Sequence, residues 1–182
     1  MTFFDIGDYP LGLAELITSD DGVELAAGDQ NQLAAPALQS LDLDQAFSPQ
    51  TIVDRQLAAA CHSGLWLLHN FLDESHTISQ GIDNATGSFW HGIMHRREGD
   101  FSNARYWFRR VDSHPVYVQL AVAANELAPD EFPDANAWDP FGFVDLCEAA
   151  KSGGATNGDL LRRTSRIEWE LLFDDCYRGA IK

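Results

Sequence analysis

The 182-residue sequence predicts an all-α protein: a single antiparallel helical domain of five or six helices over residues 48–182, with an irregular acidic N-terminal arm over residues 1–47 packed on it. Three observations carry that expectation. Apolar residues recur at spacings of three and four, and alternation of β-branched residues is nearly absent. Ser48-Pro49 and Asp139-Pro140 each pair a helix-capping side chain with a proline whose fixed φ suits the first helical turn.

In chain order, Pro10 opens a short helix carrying Leu11, Leu13, Ala14, Leu16 and Ile17, which the Ser-Asp-Asp-Gly turn at 19–22 stops. Residues 20–47 are polar and broken by Gly22, Gly28 and Pro36, so they read as an irregular wrap. From Ser48-Pro49 a long amphipathic helix runs to about Asp73, with Val53, Leu57, Ala60, Gly64, Leu67 and Phe71 as its core stripe. A further helix spans Gly87 to Glu98 and stops at Gly99. Another starts near Ser102 and ends before His114-Pro115, because the residue preceding a proline is pushed out of the helical region. Pro115 opens the next, through Leu127. The Asp139-Pro140 signal starts a helix to about Lys151 that Gly153-Gly154 breaks, and a last amphipathic helix covers Gly158 to Tyr177.

Composition sets the functional bounds. With 28 acidic and 12 basic residues the net charge is −16, which repels phosphate backbones and anionic lipid surfaces, so neither nucleic acid nor membrane is an expected partner. Cys61, Cys147 and Cys176 are odd in number, far apart and without a C-x-x-C pair. They suit buried thiols in a reducing compartment, and a cytoplasmic location is expected. Cys61 and His62 are helix neighbours whose side chains diverge by about 100°, so they do not form a nucleophile and base.

The charge is unevenly placed. Residues 1–54 contain ten acids and no Lys or Arg, and residues 126–150 contain seven acids and no Lys or Arg. Residues 96–110 instead hold Arg96, Arg97, Arg105, Arg109 and Arg110 against only Glu98 and Asp100. Two readings stand. The arginines pair with the acidic segments inside the fold, because a guanidinium fork matches a carboxylate. Or Arg96, Arg97 and Arg105 converge on a small anionic ligand in a pocket walled by aromatics such as Trp90.

All six histidines fall between His62 and His114. His91, His95 and Glu98 follow i, i+4, i+7 spacing and so share one helical face. His69 is expected to lie level with them if its helix folds back through the loop at 74–86. His69, His91, His95 and Glu98 are therefore the candidate ligands of a divalent zinc, manganese, iron or nickel ion, since imidazole and carboxylate suit these metals. The competing reading makes the histidines hydrogen-bonded packing elements. The glutamate of the zinc-protease H-E-x-x-H motif is absent, because Gly92 stands there. His62 and His76 carry no signal of their own, and His114 reads as a cap or loop residue.

Residues Ser88 to Val111, which include 95-His-Arg-Arg-Glu-Gly-Asp-Phe-Ser-Asn-Ala-Arg-Tyr-Trp-Phe-Arg-Arg-Val-111, are followed by His114-Pro115. Together with Asp73-Glu74-Ser75-His76, they resemble a family of proteins carrying an HRREGDxxNAxYWFRRV-like segment, without an established activity. The resemblance covers about residues 50–125. Within it, Glu98 to Phe108 looks like the turn and second helix of a tetratricopeptide unit. A single such unit implies a helix pair and no solenoid. The histidine pattern is also similar, more loosely, to the small metal-binding four-helix proteins induced by DNA damage, a likeness that implies a His69, His91 and His95 triad. The functional expectation is a protein binding a small anionic ligand or a divalent metal through a His- and Arg-rich centre at residues 62–110. The runner-up is a non-catalytic interaction module in which the same residues are structural or dock an acidic partner.

Overall fold

The computed structural model describes residues 4–19, 23–153 and 157–182, and all of its regular structure is helical. A 3-10 turn at Ile6–Asp8 precedes α1 (Leu11–Thr18), α2 (Ala35–Gln39), α3 (Leu43–Phe47), α4 (Arg55–Leu68) and α5 (Leu72–Ser79). There follow α6 (Ala85–Glu98), α7 (Phe101–Val111), α8 (Val116–Leu127), α9 (Pro140–Lys151) and α10 (Gly158–Ala180). The all-α expectation holds, but the described residues form ten helices where five or six were expected. Part of the predicted 19–22 turn, and Gly154, lie outside the described residues.

Short polar side chains open six of these helices by accepting hydrogen bonds from first-turn N–H groups that have no partner inside the helix. They are Asp42 for α3, Asp54 for α4, Asn84 for α6, Asp100 for α7, Asp139 for α9 and Asn157 for α10. Asp139 capping a helix whose first residue is Pro140 is the arrangement read from the sequence. Ser48-Pro49 is not: it lies after α3 in a cis peptide, and Asp54 starts α4.

The largest departure is the single helix expected over 48–73. It is broken at Asn70, whose φ of 66° is left-handed and ends α4. Asn70 N–H donates to Leu67 O at 3.2 Å and Phe71 N–H to Trp66 O at 3.0 Å, the paired bonds of a Schellman stop, and the Trp66 and Phe71 rings meet across it at 5.1 Å. Asparagine tolerates this conformation. Tertiary contacts fix it there, since Asn70 Nδ2 donates to Asp29 O at 2.8 Å and its Oδ1 accepts from Arg97. The stop at Gly99, by contrast, falls where predicted, with φ of 87° and Asp100 N–H donating to His95 O at 3.0 Å.

The N-terminal segment is not an irregular acidic arm. Leu13, Ile17, Leu38 and Phe47, from α1, α2 and α3, are fully buried in the same apolar cluster as α4, α6 and α10. Its described acids are exposed while Leu13, Leu16, Ile17, Leu38 and Phe47 point in, and the acids with Gly28 and Pro36 between them are why the sequence read as a wrap.

At the centre, Trp169 of α10 stacks on Phe173 at 4.9 Å and donates its Nε1–H to Gly64 O at 2.8 Å. Gly64 of α4 packs against the Trp90 ring of α6: a Cβ there would stand 2.8 Å from the ring. Gly64→Ala is therefore expected to cost about 1–3 kcal/mol by overpacking. At roughly 2–4 °C per kcal/mol for a chain of this size, the loss is readable in a melting curve. A melting temperature equal to wild type would show that α4 and α6 separate freely.

Candidate metal centre

Helices α5 and α6 pack against each other across the 80–84 connection. The connection sets His76, one turn before the end of α5, beside His91 and His95, one turn apart on α6. One ligand-capable nitrogen from each of the three lies within 4.8 Å of the others. The ring centroids are 4.5 Å apart for His76 and His91, 5.4 Å for His76 and His95, and 4.9 Å for His91 and His95. Tetrahedral ligands at about 2.0–2.1 Å from a metal stand roughly 3.3 Å from each other, so closure asks the nitrogens to converge by at most about 1.5 Å.

Each ring has a distinct setting. His91 lies nearly flat on Trp107, with centroids at 3.8 Å and planes at 19°, and is 2% exposed. Its Nδ1 is buried with no hydrogen-bond partner, an arrangement that costs free energy unless a ligand completes it. His95 Nδ1 is 3.0 Å from Glu98 Oε2, and its Nε2 is 3.3 Å from Asn103 Nδ2. A carboxylate on one imidazole nitrogen orients the ring and raises the basicity of the other. Glu98 is exposed and meets His95, so the i, i+4, i+7 face exists as read, with the carboxylate bonded to a ring.

Burial, followed by the repulsion that charged His76 and His95 would exert, pushes His91 down to about 3. The neutral ring is the form that ligates metals. Unfolded, the same ring titrates near 6.5, so the folded state resists a proton that the unfolded state accepts. The stability this provides is present above about 6.5 and is lost as pH falls from there toward 3. His62 and His114, lowered chiefly by burial, act with the same sign. The urea midpoint of metal-free protein is therefore expected to fall between pH 7 and 5, above the ordinary carboxylate range, and to fall less in His91→Gln. Equal slopes in the two proteins would remove His91 from the account.

The structure does not bring His69 to this centre. His69 is fully buried at the end of α4, where its Nε2–H donates to Leu16 O at 2.9 Å and its Nδ1 faces Asn31 Nδ2 at 3.1 Å. The Asn70 break turns the chain before the extrapolated helical face can reach α6, and His76, on the new helix, stands where His69 was expected. A recognisable signal was available: a short helix ending near Gly81 puts His76 and His91 on either side of one connection.

Nor do the arginines converge. Arg96 is buried against Glu168 of α10 in a two-pronged pair, with Nη1 to Oε1 at 3.1 Å and Nη2 to Oε2, and its guanidinium lies 4.5 Å from the Phe143 centroid. Burial alone would lower Arg96, and the Glu168 carboxylate more than offsets it. Arg97 donates to Leu67 O, Ala26 O, Ala27 O and Asn70 Oδ1, tying the break after α4 to the chain before α2. Arg105 pairs with Asp145 and, at 2.6 Å, with Glu148 of α9. Trp90 is fully buried between Gly64 and Trp169. Of these contacts only those of Arg105, with Asp145 and Glu148, are the pairing with an acidic segment read from the sequence; Glu168 lies outside both segments and Arg97 meets backbone carbonyls and Asn70.

His62 Nε2 lies 3.0 Å from Leu38 O, and His114 Nε2 lies 3.2 Å from Thr86 Oγ1. The three cysteines are buried thiols. No described helix is long and apolar enough to cross a membrane. Comparison with protein families, characterised proteins and solved structures finds no match, so the class of protein is set by its own geometry: an all-helical chain with a three-histidine cluster between two adjacent helices.

Proposed function

We propose that this protein binds a divalent transition metal through His76, His91 and His95, with Glu98 orienting His95. The observation that carries the reading is His91 Nδ1, buried without a partner beside two further imidazoles. Three neutral nitrogens suit zinc, nickel or iron, and three protein ligands leave a coordination position for water or a substrate atom. The three buried thiols support a reducing compartment such as the cytoplasm. A small-anion site at Arg96, Arg97 and Arg105 has no comparable support, because all three are engaged by acceptors of the chain itself.

Elemental analysis of protein purified without a histidine tag is expected to show about one metal per chain, and zinc or nickel added to stripped protein to raise its melting temperature. Both effects should vanish in His76→Ala, whose side chain is only half-buried. Absence of metal together with an unchanged melting curve would sink the proposal.

A further inference from the structure

The acidic stretch at 126–150 is not used by the histidine centre. Two of its seven acids, Asp145 and Glu148, are taken up by Arg105. Three others surround a cavity of about 400 Å³ between the chain that follows α8 and the first turns of α9. Phe132, Trp138 and Phe143 line it, with ring centroids 5.6 Å apart for Phe132 and Trp138 and 5.1 Å for Trp138 and Phe143. Exposed Glu131, Asp134 and Asp139 also line it.

Asp134 Oδ1 accepts from Asn136 N–H at 2.8 Å and Asp139 Oδ1 from Phe141 N–H at 3.0 Å, which leaves the second oxygen of each outside these local turns. Among the described residues, no Lys, Arg or His comes within ion-pair distance of Glu131, Asp134 or Asp139. Phe143 already meets the Arg96 guanidinium, and Phe132 and Trp138 are the other two rings of the lining.

Aromatic faces carry negative electrostatic potential, and unpaired carboxylates beside them add to it. A neutral apolar molecule would gain only from the walls, and an anion would be repelled. A cation with an apolar body gains from both, and the cavity volume falls within the range of small-molecule sites. We propose that this cavity binds a small organic cation, an arylalkyl amine or quaternary ammonium. Its ammonium group would sit between the carboxylates and the Phe132 and Trp138 rings, and its apolar body would lie against Phe143 and Leu146.

The test is calorimetric titration of the full chain with benzyltrimethylammonium at low ionic strength. EDTA is present throughout, so that the histidine centre takes no part. Benzyl alcohol and benzoate serve as the neutral and anionic comparisons. The expected order is cation above alcohol above benzoate. Glu131→Gln combined with Asp134→Asn, which keeps the Asp134 turn bond, should weaken the cation by about ten-fold or more, and Trp138→Leu should abolish its binding. Both carboxylates are exposed, so the amide pair retains the fold even if Trp138→Leu does not. Equal binding of cation and alcohol, indifference of binding to the amide pair, or no binding of the cation at millimolar concentration would each overturn the proposal.

Discussion

Glu168→Ala is expected to lower the unfolding free energy by about 3–5 kcal/mol, because it strands the Arg96 guanidinium in the interior. Both side chains are nearly inaccessible, at 2% and 0% exposure, and the guanidinium also lies over Phe143. The attraction between them largely offsets the cost of taking two charges out of water, and neither charge alone has that compensation. For that reason Arg96→Met with Glu168→Leu should recover most of the loss, since an apolar pair of similar volume has no charge to desolvate. Urea unfolding of Glu168→Ala, of Arg96→Met and Glu168→Leu singly, and of that pair together closes the cycle. A single variant within about 1 kcal/mol of wild type would contradict it, that being the range for exposed pairs such as the one between Arg105 and Asp145.

The second large effect concerns the metal. If zinc binds the folded chain alone, free zinc at a hundred times its dissociation constant adds about 2.7 kcal/mol of stability, roughly 5–11 °C in melting temperature for a chain of this size. His91→Ala should abolish the increment and, having lost the stack on Trp107, should also begin from a lower melting temperature. Glu98→Gln should leave the metal-free melting curve almost unchanged, since Glu98 is exposed, and weaken zinc about 10–100-fold through the His95 ring. An increment of the same size in wild type and in both variants would place any bound zinc elsewhere.

The H-x-x-x-H face of α6 was legible because His91 and His95 are fixed by the helical repeat alone. The pairing of arginine with a base-free acidic stretch was legible for Arg105, which meets Asp145 and Glu148, but not for Arg96 or Arg97, whose partners lie outside both stretches or are not acids. Individual partners were not legible. Arg96 meets Glu168 from a distant helix, and nothing local distinguishes that carboxylate from the other acids. The third histidine was misplaced for a related reason. The residues from His69 to Phe71 are compatible with a continuing helix, and Asn70 takes its left-handed turn where Arg97 and Asp29 hold it. The helix opened by Pro10 is present as α1, but α2 and α3 were missed because they are five residues each, too short to show a periodicity, and are held by burying Leu38 and Phe47.

The sequence by itself determined the all-helical class, the caps at Asp139 and the stop at Gly99, because these depend on backbone groups satisfied within one or two turns. It also determined that His91 and His95 share a face. The tertiary structure alone decided that α4 ends at Leu68, that His76 completes the cluster and that Arg96 is buried against Glu168. Those outcomes depend on which distant groups packing brings together, and the free energy that selects among them is spread over contacts far apart in the chain.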